Sequence, residues 1–415
     1  MIKDLICKLP TYMKPAGANA LFPPASNEMS PDVKFRYMDN KIFSPNCCEL
    51  VSAPSGLGKG FLDEMCSHIS HLAAEHDHEA ELALLQWQKD FKSKGANAQK
   101  PNRPEVALLN PDPDMTNPAF IINMMCAEKE KRSVYSNIAE IELLDQCCGG
   151  HKKVSKVLRL NFDNKRYGAL RATVDGVTGK PLLNWKINVS CVPEKARAFF
   201  KTGVIDGTLG RIGCDYTPKS AKKERGIPRQ GSYDQKYMES LDEYLMRLRN
   251  AHGEIRVPKL KGLIEALAEE LEELEELSDD DVFSSLANRS LIIGWMKGCI
   301  LYVGEGMKMT KEILDFVRWS ILNDLWSKLQ LFGSQFNYGQ KVVEFDARKN
   351  GPRNMLDQLA DAFSQTDLEK LRIEQGKPSY CRHQLDMWIS RGYITYSNST
   401  RLYTKSEEYL KKHKA

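Results

Sequence analysis

Apolar positions along the chain fall into short runs separated by stretches of helical spacing. Glu49 to Ala53 (ELVSA) is the first clear run. It ends in a Pro-Ser-Gly turn and opens into a helical stretch from Lys59 to about Lys92. A second apolar run, Glu105 to Leu109 (EVALL), is closed by Asn110-Pro111-Asp112-Pro113, and a helix fits Asn117 to Glu130. Ser133 to Ile141 (SVYSNIAEI) reads as a strand with acid at its C-terminal end, Lys153 to Leu160 as a helix, and Leu183 to Val192 as a strand. Strands alternating with helices predict an α/β fold with a mostly parallel sheet covered on both faces.

The flanking regions differ. Residues 1–45 carry prolines and few helical periods, so they read as an irregular lead-in with a short strand at Lys34 to Met38. The core is expected over 46–218. Lys219 to Ser232 is basic and rich in breakers, which reads as a loop or linker. Residues 233–350 read as a helical region: Leu260 to Leu277 is acidic with leucines at helical spacing, and Trp295, Trp319 and Trp326 fall on apolar faces and are expected in the core. Residues 351–415 read as a separate module. Helices are predicted at Asn354 to Phe363, Asp367 to Glu374 (capped by Thr366 or Asp367) and Ser379 to Arg391. Strands at Tyr393 to Tyr396 and Arg401 to Thr404 then flank Ser397-Asn398-Ser399. Three helices followed by a hairpin is the winged-helix order.

Composition narrows the function classes little. The net charge is +4 over 415 residues, so only local charge can speak for nucleic acid. No run of about 18 apolar residues exists, which predicts no membrane span, and the apolar part of Met1 to Pro10 is too short for a secretory signal. The 11 cysteines make no zinc pattern and read as reduced thiols of a cytoplasmic protein.

The candidate chemistry sits after the first apolar run. Ala53-Pro-Ser-Gly-Leu-Gly-Lys-Gly60 matches most of G-x-x-x-x-G-K-[ST], in the strand–turn–helix context that a phosphate-binding P-loop requires. Gly56 and Gly58 permit backbone N–H groups to turn toward phosphate, and the following helix N-terminus favours an anion. Ser55, Gly56, Leu57, Gly58, Lys59, Gly60 and Phe61 are the candidate nucleotide-contacting residues, with Lys59 reaching the β/γ-phosphates. Ala53 replaces the first glycine, and Gly60 replaces the Ser/Thr whose hydroxyl normally binds Mg²⁺.

Hydrolysis also needs acid. Glu140 is the candidate water-orienting base and metal-side carboxylate, and Glu142, two positions on, is a second acid on the same side of a strand. Asn188 is either a sensor of the γ-phosphate or a satisfied core amide. Arg211, in Gly207-Thr-Leu-Gly-Arg211, is either an arginine finger for a neighbouring subunit's nucleotide or a surface residue. His68, His71, His76 and His78 read as a polar helix face rather than a metal site. In the C-terminal module Arg382, His383 and Arg391 lie on the proposed recognition helix, Lys370 and Arg372 on the preceding one, and Arg401 and Lys405 flank the proposed wing. All are candidate DNA-phosphate contacts.

The loop SAPSGLGKG, the lead-in VKFRY (Val33 to Tyr37), AEIELL, VSCVPEKARAFF, GTLGRI and the C-terminal stretch from Met355 to Ile394 together resemble a P-loop family of phages and mobile elements of Bacteroidetes. Those proteins look like RecA-like replicative helicases and often accompany a primase. The resemblance implies a RecA-like core, ATP and Mg²⁺ as cofactors, and a homo-oligomer working on DNA, single-stranded by expectation, with a primase or other replication protein as partner. By position it makes Lys59 the phosphate lysine, Glu140 the Walker B acid and Arg211 the finger. The expectation is a helicase- or translocase-like ATPase. The alternative, which Gly60 favours, is a non-hydrolysing, nucleotide-gated DNA-binding initiator or regulator.

Overall fold

The computed structural model describes residues 2–95, 98–148, 154–170, 176–201, 207–219, 231–336 and 354–413. The lead-in is helical rather than irregular. A short α1 (Ile2–Ile6) precedes α2 (Lys14–Ala20) and α3 (Phe22–Asn27), and the last two are almost entirely buried. Pro15, Pro23 and Pro24 fall in the first turns of these helices, where the missing N–H has no helical acceptor anyway and the fixed φ suits entry. Proline there starts a helix, which is why reading it as a breaker misled. The predicted strand at Lys34 to Met38 is β1 (Lys34–Arg36), paired antiparallel with β2 (Ile42–Phe43).

The central layer follows: β3 (Cys48–Ser52), α4 (Gly60–Ile69), α5 (His71–Ser93), α6 (Asn117–Glu130), β4 (Val134–Ile138), α7 (Val154–Phe162), β5 (Trp185–Cys191), α8 (Pro193–Phe199) and β6 (Gly213–Tyr216). The four strands are all parallel in the order β4-β5-β3-β6. The fold is therefore α/β, and every residue of β3 and β5 is buried, as expected for a sheet covered on both faces.

Three boundaries differ from the sequence pattern. The helical stretch expected from Lys59 to Lys92 breaks at Ser70 into α4 and α5. The strand expected to reach Ile141 stops at Ile138. From Ile141 to Cys148 the chain is a 3-10 helix, with Ile141, Leu144 and Cys147 buried at the three-residue spacing of that helix. The EVALL segment runs beside β4 without full pairing. Tyr135 N donates to Leu109 O at 2.7 Å, and the Asp77 carboxylate accepts from Leu109 N and Asn110 N at 2.6 Å each.

The two sheet faces differ in chemistry. One presents Cys48, Leu50, Ile187, Val189, Cys191, Val134 and Ile138 to a core shared with α6, α7 and α8. The other presents Glu49, Lys186, Asn188 and Asp215, all buried. Over it lie α2, α3 and the helical region: α9 (Gln235–Arg249), then β7 (Glu254–Ile255), which pairs parallel to β1, then α10 (Leu260–Ser278), α11 (Asp281–Gly304) and α12 (Lys311–Phe336). Trp295 is buried against Phe35, Tyr37 and Phe43. Trp319, expected in the core, is instead 36% exposed on α12.

Helix α12 also closes the open edge of β6. Cys214 N donates to Asp324 Oδ1 at 2.7 Å and Tyr216 N to Ser327 Oγ at 3.0 Å, so side chains satisfy donors that would otherwise invite another strand. Beneath β3 a buried polar network joins sheet and helices. Lys297 Nζ lies 2.8 Å from Glu49 Oε1, with both side chains 1% exposed, and donates to Asn19 Oδ1 at 2.8 Å. Asn19 Nδ2 and Asn323 Nδ2 donate to Asp215 Oδ1, and Lys328 pairs with Asp324.

Three buried carboxyls thus meet two ammonium groups, and one carboxyl keeps its proton. Burial, with the Glu49 charge beside it, pushes Asp215 up to about 8. A carboxyl raised on folding adds stability at low pH and loses that contribution as pH climbs through its folded value. Relative to Asp215→Asn, the urea midpoint of the wild type should therefore fall between pH 5 and pH 8. Parallel curves for the two proteins would contradict a protonated Asp215.

The C-terminal residues form α13 (Met355–Gln358), β8 (Ala362–Phe363), α14 (Gln365–Glu374), α15 (Arg382–Ser390), β9 (Ile394–Ser397), β10 (Leu402–Lys405) and α16 (Glu407–His413), with an antiparallel sheet in the order β8-β10-β9. The helix expected over Asn354 to Phe363 is one turn followed by a strand. The cap of α14 is Ser364 rather than Thr366 or Asp367: its hydroxyl accepts from Asp367 N while the Asp367 carboxylate accepts from Ser364 N, a reciprocal capping box. Trp388, Phe363 and Leu368 centre a small core that Leu277 of α10 completes.

Candidate phosphate-binding site

The loop leaves the C-terminal end of β3, an inner strand, and enters α4 at Gly60. Ligands of open α/β sheets bind in the crevice outside such strand ends. Gly56 and Gly58 have φ of +76° and +78°, the left-handed region that a side chain disfavours. Gly58 is doubly constrained, because a Cβ there would stand 2.6 Å from the Phe61 ring. Leu57 is 2% exposed and pins the loop to the core, while Ser55, Gly56 and Gly60 are exposed.

Lys59 Nζ donates to Ala53 O at 2.9 Å, across the mouth of the loop. Partial burial lowers its pKa, and the only charged-group influence that opposes this comes from Cys191. No carboxylate pairs with Lys59 among the described residues, and its hydrogen bond goes to the backbone carbonyl of Ala53. These features fit a phosphate: turned amides, a ten-residue helix starting at the loop, and an ammonium without a counter-ion. Gly60 offers no hydroxyl for a metal, but a Cβ at that position meets nothing within 4 Å, so a serine would fit.

The acids stand one strand away, since β5 separates β3 from β4. Two strand spacings put β4 about 10 Å from β3, room for a terminal phosphate and an attacking water. Glu140 and Glu142 follow β4 in the turn and the 3-10 helix rather than sharing a strand face. Sequence reading missed their partner. Lys195, in the first turn of α8, lies 2.5 Å from Glu142 Oε1 and 3.8 Å from Glu140 Oε2. That contact holds the Glu142 carboxyl below its usual value. The signal was available in Val-Pro-Glu-Lys195, with proline at a helix start directly after β5. Cys191 closes β5 between the loop and the acids. Burial pushes its thiol up to about 12, Lys59 acting to lower it and Glu142 to raise it.

A second acid also went unread. Asp63, in the first turn of α4, accepts from Asn137 Nδ2 at 3.0 Å, which ties the loop helix to the C-terminal end of β4. Burial raises its carboxyl pKa. Asn188 is three residues short of the end of β5. Its Nδ2 donates to Ala20 O at 2.7 Å and Tyr135 Oη at 3.1 Å, while its buried Oδ1 has no partner among the described residues. Arg211 closes a 3-10 turn (Leu209–Arg211) just before β6, at the N-terminal end of the parallel strands and so at the opposite end of the sheet from the loop, which it does not reach in its own chain.

Among the histidines, His71 pairs with Asp242, and His76 with Asp77 and Glu130. Among the described residues no group of three His, Cys, Asp or Glu side chains could hold a metal ion.

The C-terminal cations divide into two sets. Arg391 pairs with Glu276 and lies 3.5 Å from Glu272, both on α10. Arg372 pairs with Asp279 at 2.6 Å, Lys405 donates to Leu359 O at 2.7 Å, and Trp388 Nε1 donates to Glu276 O at 3.1 Å. Helix α15 is thus docked on the acidic helix. Lys370, Arg382, His383 and Arg401 remain exposed, with His383 on the rim of a cavity of about 340 Å³ lined also by Glu275, Glu276 and Asp279. The basic stretch Lys219 to Ser232 lies almost wholly outside the described residues.

No helix among the described residues is long and apolar enough to cross a membrane. No family model matches the chain, and no curated protein does.

Proposed function

We propose that the chain is an ATP-binding motor acting on DNA, a helicase- or translocase-like ATPase with a RecA-like core and a C-terminal winged helix. The observation that carries the reading is the loop at the end of β3. Two left-handed glycines bend it, and Lys59 closes it by donating to Ala53 O, with no carboxylate partner among the described residues. In this reading Lys59 and the amides of residues 56–60 hold the β- and γ-phosphates. Mg²⁺ would supply charge neutralisation at those phosphates, with Glu140 the carboxylate that would hold it and Gly60 offering no hydroxyl. Glu140, 67% exposed, orients the attacking water once Lys195 releases it. Arg211, at the opposite end of the strands from the loop, serves a neighbouring copy in a homo-oligomer. The C-terminal module contacts DNA or a replication partner such as a primase, in the cytoplasm.

Turnover of ATP with and without single-stranded DNA tests this. Glu140→Gln should keep ATP affinity and lower turnover by about 100-fold or more, the range of a lost general base. Wild-type turnover no faster than that of Lys59→Ala under every DNA condition would reject the motor. It would leave the second reading, a nucleotide-gated DNA-binding regulator, favoured by Gly60 and by the hold of Lys195 on both acids. Gly60→Ser should raise affinity for Mg·ATP several-fold over ATP alone. An unchanged ratio would mean that the missing hydroxyl is not limiting.

The docking of α15 on α10 supports a further expectation. Glu276→Lys removes the carboxylate that holds Arg391 and turns an acidic surface basic. Single-stranded DNA affinity, read by fluorescence anisotropy at fixed salt, should rise several-fold. Unchanged affinity would argue that α15 is not a DNA contact.

A further inference from the structure

We infer that the pocket between the turn at Gly207–Arg211 and α11 is a binding site for a phosphate group, built by Arg211 and Arg289. The site lies at the N-terminal end of the parallel strands, the end away from the loop, and stands independently of any nucleotide held at the loop.

The local geometry gathers cations around one acid. Arg211 donates through Nη1 to Gly207 O at 2.9 Å and through Nη2 to Asp163 Oδ2 at 3.4 Å. Its Nε–H is buried without an acceptor among the described residues. Asp163 is already shared with Lys41, 3.2 Å away. Arg289, from α11, packs on Gly210, where a Cβ would stand 3.1 Å from Arg289 Cγ, and its guanidinium lies 5.7 Å from the centre of the Phe162 ring. Arg289 has no hydrogen bond or ion pair among the described residues, and burial with the Arg211 charge lowers its pKa. Among the described residues, Lys41, Arg211 and Arg289 therefore face a single carboxylate, that of Asp163.

Two guanidiniums held together in a half-buried place repel, and an orphaned donor adds a desolvation cost. Both are relieved by one oxyanion. The two side chains line a cavity of about 180 Å³ together with Ser285 and the backbone of Gly207 and Gly210. That volume holds several waters or one phosphate, since a water takes about 30 Å³ of liquid. Two guanidinium forks and the Ser285 hydroxyl on one cavity supply the several donors that a phosphate, with its four oxygens, accepts from. The phosphate has two possible sources, a nucleotide or the backbone of a single strand.

The full chain carrying Lys59→Ala, which silences the loop, is the protein to test. Its melting temperature and calorimetric titration would be followed with inorganic phosphate against chloride of equal ionic strength, then with ADP and with a thymidine 20-mer. Phosphate should raise the melting temperature, and Arg289→Gln in that background should weaken phosphate binding by about tenfold or more, the loss of one charge-assisted contact. Gly210→Ala, which displaces Arg289 without removing its charge, should weaken it as well, and Arg289→Lys should retain part of it. Competition by the 20-mer alone assigns a backbone phosphate, and competition by ADP assigns a nucleotide. Phosphate binding that is absent, or equal in Arg289→Gln and its parent, overturns the site. Because the loop is already disabled, that result would leave the reading of Lys59 untouched.

Discussion

Replacing Lys59 by alanine should remove ATP binding while leaving the fold intact. The side chain makes one hydrogen bond, to Ala53 O, and is only partly buried, so the cost in stability should stay below about 1 kcal/mol, the net worth of a typical hydrogen bond. Its effect on the ligand is far larger. An ammonium facing a triphosphate in a half-desolvated loop acts through charge-assisted bonds to two phosphates, and losing about 3 kcal/mol there is more than a 100-fold weakening. Titration with a fluorescent ATP analogue, beside a urea melt of the same sample, separates the two quantities. Equal nucleotide affinity in variant and wild type would remove the loop as the phosphate site, whatever else the protein does.

The second large effect concerns stability. Lys297→Met should destabilise the protein by about 3–5 kcal/mol, the usual consequence of stranding one member of a buried ion pair. Glu49 and Asp215 would then share a dry space with no cation from α11. The carboxylate of Glu49 already lies over Gly213, where a Cβ would meet Glu49 Oε2 at 2.1 Å, so it has no room to swing away. The double variant Lys297→Met/Glu49→Gln should recover much of the loss, because removing both charges is often near neutral. Measured urea unfolding at pH 7 decides. A loss under about 1 kcal/mol in the single variant would show that Glu49 is uncharged in the native protein. Glu49 precedes the loop on its own strand, so this network also sets the base on which residues 53–60 stand.

These expectations draw on different amounts of sequence information. The strand–turn–helix around Lys59 was legible because its signals are local: an apolar run, glycines where φ must be positive, and a helix start. The same holds for α6, α10 and the C-terminal hairpin, whose bounds fall within a residue or two of the pattern. The end of β4 was not legible. Alternation fits Ser133 to Ile141 as well as any strand, and only the register with β5, whose last pair is Ile138 with Val189, decides where pairing stops.

Partners were the least legible feature. A lysine at 195 does not announce that it bridges Glu140 and Glu142, and Arg391 looks like a free cation until Glu272 and Glu276, more than 100 residues earlier, are beside it. Sequence by itself determined the α/β alternation and the strand–turn–helix around Lys59, because each is written within a few neighbouring residues. Tertiary structure alone decided that a proline-rich lead-in folds as two buried helices, that a charged network underlies β3, and that Arg211 meets Arg289. Those outcomes depend on which distant segments share a buried surface, and burial is what turns a polar side chain into a matter of free energy.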